Sequence, residues 1–266
     1  MTAALDRILD ATRARVDALR ARSRELERAA SDAPDPPPWE AALRGSDVAV
    51  IAEVKRRSPS VGEIAPGLEP AAWAESYVRG GARAVSVLTE PEHFGGSLAD
   101  IGGVRAATAV PVLRKDFMLD PVQIHEARAA GASAVLLIVR VVDAGSLRAL
   151  SDAARDLGMA RLVEVHDLAE LEVALQLEPE SVGVNARDLR SFSVDQSGVE
   201  QVLRAVPAGV LAVAESGIGA RADVERVAAW GADAVLVGTA VARAEDRERA
   251  VRALVGVERM PGERAA

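Results

Sequence analysis

No cysteine occurs in the chain. That excludes disulfides, thiolate nucleophiles and cysteine-ligated zinc, and it fits a reducing compartment. Aromatic residues make up only 3 % of the sequence, so a core must be aliphatic, and the apolar share of 49 % is enough to build one. Positive charge is in deficit: the net charge is −8 and the pI about 5.1. Nucleic-acid binding is not expected, because its electrostatic term needs a basic surface. Long apolar runs are absent too. The longest, near Val135 to Val139, ends at Arg140, far short of a bilayer span. Residues 1–10 lack a basic region followed by an apolar one, so no signal peptide is expected. The expectation is a soluble cytoplasmic protein with no membrane partner. His93, His125 and His166 are the three histidines, and they show no metal-ligand spacing. His125 reads as a surface residue on a helix and His166 as a loop cap; no metal site is expected and none of the three is assigned chemistry.

Lysine and asparagine are almost missing. Two of the 32 basic side chains are lysines, Lys55 and Lys115, and Asn185 is the single asparagine. GC-rich codon usage would deplete both residue types and leave survivors at random. Yet all three survivors follow apolar runs that read as strands. Arginine stays charged at any working pH, whereas a lysine changes its pKa with desolvation and with neighbouring charge, so it can exchange a proton.

The apolar residues Leu5, Ile8, Leu9, Val16 and Leu19 recur at helical spacing and predict a helix over 5–26. The proline-rich segment 31–38 ends it, and a short helix is expected from Trp39 to Leu43. Beyond Gly45, aliphatic runs recur at 48–54, 84–88, 110–114, 134–139, 161–165, 181–184, 209–214 and 234–237. They read as strands buried on both faces, as a parallel sheet requires. Between them lie helical stretches such as 121–130, 144–157 and 220–230, several followed by glycine. Eight strand–helix units predict a (β/α)8 barrel of the α/β class. The competitor, a doubly wound open sheet, would more often place a glycine-rich turn after its first strand, where this chain has Arg56-Arg57-Ser58-Pro59-Ser60. The expected organisation is one structural domain, with a helical extension over 1–45 and the barrel over 46–258. Little chain follows the eighth unit, so no fused partner enzyme is expected.

Catalytic groups of such a barrel sit at the C-terminal ends of its strands. Those ends carry Glu53 with Lys55, Glu90, Lys115, Glu164, Asn185 with Arg187, Glu215 with Ser216, and Gly238. Glu53 and Lys55 are two apart and point to the same side; a purely structural ion pair is the bland alternative. Charges on apolar strands are costly to bury, so a cluster of them at one rim favours a site. Ser216-Gly217 and Gly238-Thr239 follow the seventh and eighth strands, the usual phosphate site of this fold. Pro59, Phe94 and Phe117 fall beside these segments and suit a pocket for a flat ring, although ordinary loop packing accounts for either phenylalanine equally well.

The segments Ile51-Ala-Glu-Val-Lys-Arg-Arg-Ser-Pro-Ser60, Ser86-Val-Leu-Thr-Glu90, Phe94-Gly-Gly-Ser97, Leu113-Arg-Lys-Asp-Phe117, Leu162-Val-Glu-Val-His166, Gly183-Val-Asn-Ala-Arg-Asp-Leu189 and Ala214-Glu-Ser-Gly217 together resemble the indole-3-glycerol phosphate synthase family. The resemblance covers about residues 45–245, and the N-terminal extension fits as well. It implies a small phosphosugar substrate, 1-(2-carboxyphenylamino)-1-deoxyribulose 5-phosphate, closed to indole-3-glycerol phosphate with loss of carbon dioxide and water. It also implies a carboxy-lyase of tryptophan biosynthesis that needs no cofactor and no metal. By the same resemblance Lys115 is the general acid and Glu164 the general base. Lys55 pairs with the anionic substrate and helps lower the pKa of Lys115, with Glu53 beside it and a direct part for both in dehydration left open. Asn185 and Glu215 orient the substrate and Lys115. Ser216, Gly217, Gly238 and Thr239 hold the phosphate. Ser58 and Arg187 contact the substrate, and Pro59, Phe94, Phe117, Leu189 and Leu236 line the anthranilate pocket. Two departures stand out: Val61 replaces a lysine common in the family, and Thr239 stands where serine or glutamate is frequent. Other phosphosugar enzymes on this barrel are the rivals. Phosphoribosylanthranilate isomerase relies on a cysteine base, which is missing here; a Schiff-base aldolase would use Lys115 or Lys55; a silent binding subunit would not need the charged rim. The association state is not readable from the sequence.

Overall fold

The computed structural model describes residues 3–58, 62–65, 67–187, 194, 196 and 198–260. Eight parallel strands close into a barrel in sequence order: β1 (Ala49–Val54), β2 (Ala84–Leu88), β3 (Val112–Lys115), β4 (Ala134–Ile138), β5 (Ala160–Val165), β6 (Ser181–Asn185), β7 (Leu211–Glu215) and β8 (Ala234–Val237). β1 pairs with both β2 and β8, in the registers Ile51↔Ala84 and Ile51↔Leu236, which closes the ring. All eight predicted strands are present to within two residues at either end. Their near-continuous burial follows from apolar packing on both faces.

Alternation along each strand sorts the side chains into two cores. Val50, Ala52, Val85, Val87, Val135, Leu137, Val163, Val182, Ala212 and Val235 pack outward under the helices. Ala49, Ile51, Ala84, Leu113, Ala134, Leu136, Leu162, Leu211, Val213, Ala234 and Leu236 fill the interior. With so few aromatics the interior is filled by aliphatic groups, and alanine at the start of several strands leaves room for Trp39. That residue opens α3 (Trp39–Leu43), packs in the interior cluster, and donates its indole N–H to Ser181 Oγ at 3.1 Å.

The predicted helix over 5–26 is two helices, α1 (Ala3–Arg20) and α2 (Ser23–Asp32). A straight helix of that length would run past the curved barrel. The break at Ala21-Arg22 lets each half meet its own partner. Leu5, Ile8 and Leu9 of α1 join the cluster of Phe117, Phe94 and Leu119. Val16 and Leu26 pack with Val122 of α7 (Pro121–Ala129). Arg15 extends from α1 to Asp116, immediately after β3, at 3.1 Å. α1 is thereby tied to the end of the barrel where Lys115 lies. No helix among the described residues is long and apolar enough to cross a membrane.

Candidate active site

A cavity of about 550 Å3 opens at the C-terminal ends of the strands. Its composition follows the layering of a (β/α)8 barrel, in which alternate strands supply each layer. The odd strands β1, β3, β5 and β7 contribute Glu53, Lys115, Glu164 and Glu215. The even strands β2, β4, β6 and β8 contribute Leu88, Ile138, Asn185 and Leu236. One set carries the charge; the other carries apolar surface and one amide.

The charges form two linked groups. Lys115 Nζ donates to Glu215 Oε2 at 2.8 Å and lies 3.9 Å from Glu164 Oε2. Lys55 Nζ lies 2.7 Å from Glu53 Oε1. Burial alone would push the Lys115 ammonium down, but Glu215, Glu164 and Glu53 outweigh it and hold the group above its ordinary value. This reverses the expected direction: neighbouring carboxylates, rather than Lys55, set the proton affinity of Lys115. Burial pushes Glu215 up to about 7, against the pull of Lys115 and with the help of Glu164. Burial also acts upward on Glu53, but Lys55 and Lys115 more than offset it and hold that carboxyl below its usual range. Lys115 is therefore held protonated among carboxylates, one of which is pushed up to about 7.

Two glycines make room for the carboxylates. A Cβ on Gly183 would fall on Glu215 Oε1, and one on Gly238 would fall on Glu53 Oε1 and within 2.8 Å of Lys55 Nζ. Gly238 thus has a steric duty besides any contact with a ligand. Ser216, at φ 64°, and Gly217, at φ 73°, turn the chain in the left-handed region directly after β7. Both line the cavity, with Gly219, Gly238, Thr239 and Ala240. The N–H groups of Gly219 and Ala220 are already taken by Asp223 Oδ2, each at 2.9 Å. Of the backbone N–H groups along this turn, those of Gly219 and Ala220 are therefore not open to a ligand.

Phe94 and Phe117 face one another across 6.4 Å between ring centroids, with planes tilted by 39°. Both line the cavity, as do Ser58, Arg187 and Leu236. Asn185 Oδ1 accepts the N–H of Arg187 at 2.9 Å, so the donor end of the amide is the one left to meet a substrate. Pro59, Leu189 and Val61 lie outside the described residues.

Some rim residues do other work. Glu90 does not face the cavity: its carboxylate caps α5 (Pro91–Phe94), accepting the N–H groups of Glu92, His93 and Phe94. His125 is half-buried on α7 rather than a surface residue. His166 is not the expected loop cap: its backbone N–H donates to Glu170 Oε2 at 2.8 Å, so Glu170 does the capping, and the His166 ring lies 3.6 Å from Glu164. Among the described residues no cluster of histidines and acids is arranged to hold a metal. The sequence reading missed Leu88, Asp116, Leu136, Ile138 and Ile218, all of which line the cavity. The inward apolar positions follow from strand alternation. Asp116 carries no such signal; it is held by Arg15, Arg114 and Thr89 and anchors the N–H of Phe117 at 2.9 Å.

Comparison with known proteins bears on this site. The family model described as "Indole-3-glycerol phosphate synthase" matches residues 5–254. An indole-3-glycerol phosphate synthase from Mycobacteroides abscessus is 48 % identical over 253 residues, covering 94 % of this chain and 93 % of that one. Another, from Parafrankia sp., is 48 % identical over 269 residues, covering 99 % of each. In fold, the chain is similar to 3-hexulose-6-phosphate synthase from Salmonella typhimurium, with a TM-score of 0.63 at 16 % identity over 78 % of this chain and 96 % of that one.

Proposed function

Given that the chain belongs to the indole-3-glycerol phosphate synthase family, we propose that it is a carboxy-lyase of tryptophan biosynthesis working by a lysine acid and a glutamate base. The substrate is 1-(2-carboxyphenylamino)-1-deoxyribulose 5-phosphate. The ring carbon bearing the carboxylate attacks the ketone, and Lys115 delivers a proton to the ketone oxygen as negative charge develops there. Carbon dioxide leaves and aromaticity returns. Loss of the new hydroxyl as water needs a proton on oxygen and removal of one from carbon, and Glu164 removes the latter.

The observation that carries this reading is the position of Lys115 Nζ, 2.8 Å from Glu215 Oε2 and 3.9 Å from Glu164 Oε2, in a cavity with both an aromatic wall and a glycine-rich cup. Glu215 and Asn185 orient Lys115 and the substrate. Lys55, paired with Glu53, meets the substrate's negative charge. Ser216, Gly217, Gly238 and Thr239 hold the phosphate. Ser58 and Arg187 contact the substrate at the mouth, and Phe94, Phe117 and Leu236 enclose the anthranilate ring, a role the family resemblance extends to Pro59 and Leu189. We take the chain as one structural domain, a helical extension over 1–45 and a barrel over 46–258, acting in the cytoplasm. The test is stoichiometric: purified protein with this substrate and no added metal or cofactor gives indole fluorescence and carbon dioxide in equal amounts. Folded protein that releases neither overturns the reading.

A further inference from the structure

His166 follows β5 and stands two residues beyond Glu164, so both side chains project to the same side of the chain. Its Nε2 lies 3.6 Å from Glu164 Oε1. Both atoms are buried, and neither has a hydrogen-bond partner. On the other edge of the ring, Nδ1 lies 3.2 Å from Glu170 Oε2. Glu170, on α9 (Leu168–Leu175), is held in turn by Arg140 Nε at 2.7 Å. Arg140 belongs to the short turn after β4 and also lies 3.7 Å from Asp167.

This arrangement fixes the tautomer. An ionised carboxylate only accepts, so Nδ1 carries the hydrogen that meets Glu170. In the neutral ring Nε2 is then a lone pair aimed at the lone pairs of Glu164 Oε1. Two buried acceptors facing each other with no donor between them is an unfavourable state, and one proton between them removes the conflict. The charged groups around the ring agree: Glu164 from β5, Glu170 from α9 and Asp167 at its N-cap, Arg140 from the turn after β4, and Lys115 of β3 beyond Glu164.

We propose that His166 is a positioning residue for Glu164: a proton on Nε2, held in register by Glu170 and Arg140, fixes the Glu164 carboxylate in place and aimed at the substrate. This rests on Glu164 being the base. Burial pushes the imidazole down, but Glu170 and Glu164 outweigh burial and Arg140, so the ring sits above its ordinary value. The sign follows. Below the raised value the proton is present and Glu164 is held. As pH rises through the raised value the proton leaves, the two acceptors repel, and turnover falls on the alkaline side.

The test compares His166→Leu, His166→Gln and Glu164→Gln in the full-length protein, with kcat and KM followed from pH 6 to 9 and imidazole 15N shifts recorded for the three histidines. The expected result is a drop of ~10- to 100-fold in kcat for His166→Leu, at or below the scale of a general acid–base group, with KM within about threefold of the parent, as for a group acting on the transition state rather than on uniform binding. His166→Gln, a donor that does not titrate, restores most of that loss and flattens the alkaline fall. In Glu164→Gln the His166 resonance titrates at lower pH than in the parent. His166→Leu turning over like the parent, with Glu164→Gln inactive, overturns the role of His166 and leaves Glu164 as the base. If Glu164→Gln also turns over like the parent, the assignment of the base itself has failed, and the role of His166 with it.

Discussion

Gly183 and Glu215 occupy neighbouring strands, and the missing side chain of the first is the space that holds the carboxylate of the second. Glu215 reaches Lys115 through space that a side chain on Gly183 would occupy.

Gly183→Ala is therefore expected to act on the site more than on the fold. The added methyl displaces Glu215 and pulls it from Lys115, at a stability cost of about 1–3 kcal/mol, the usual range for overpacking. Turnover should fall ~10-fold or more while the circular dichroism spectrum keeps its parental form. Parental turnover in this variant would show that the Lys115–Glu215 contact does not matter.

The acid side of the pH profile should report Glu215. Its carboxyl is pushed up to about 7 by burial, so the proton is bound below that value and released above it. The ion pair to Lys115 exists only with the carboxylate ionised, and kcat/KM should rise through about pH 7. Glu215→Gln should remove that limb and lower the plateau. Linkage has the opposite sense for stability: a carboxyl raised by folding contributes fully below its unfolded value, and that contribution is lost as pH rises through about 7. Chemical denaturation of parent and variant across that interval measures it.

Much of this site is legible in the amino-acid sequence alone. Lys55, Lys115 and Asn185 were picked out by rarity and by place, and each stands at or just past a strand end. Strand alternation also predicted that Glu53 and Lys55 share a side. Three features were not legible. Glu90 looked like a rim carboxylate, but the chain turns into α5 directly after it and makes it a cap. The Gly183–Glu215 fit depends on the stagger between two strands, which periodicity within one strand cannot supply. The break between α1 and α2 has no proline or glycine to mark it; it follows from the curvature of the surface on which both halves pack.

Ser216→Asp should test the anion cup. Ser216 already lies in the left-handed region, which aspartate tolerates, so the backbone change is small. A carboxylate at the proposed phosphate position should raise KM ~10-fold or more and leave kcat within a few fold. Inorganic phosphate should raise the melting temperature of the parent and not that of the variant.

Arg15 links the N-terminal helix to Asp116, whose carboxylate also accepts from Thr89 Oγ1 at 2.7 Å and from Arg114. Arg15→Ala leaves those partners in place, so the loss should be about 1–2 kcal/mol, less than for stripping a buried ion of all its partners. A melting temperature lower by about 2–6 °C is the expected reading. No change would mean that the contact contributes nothing to the fold.

In the proposed mechanism Lys115 gives up a proton during turnover. Lys115→Arg keeps the positive charge beside Glu215 and Glu164 but does not readily release a proton. The direct measurement is single-turnover conversion of 1-(2-carboxyphenylamino)-1-deoxyribulose 5-phosphate, followed by indole fluorescence, in parent and variant at saturating protein. The expected result is turnover in the parent and a rate at least ~100-fold lower in the variant, the scale of general-acid catalysis. A variant that converts substrate at the parental rate would contradict it.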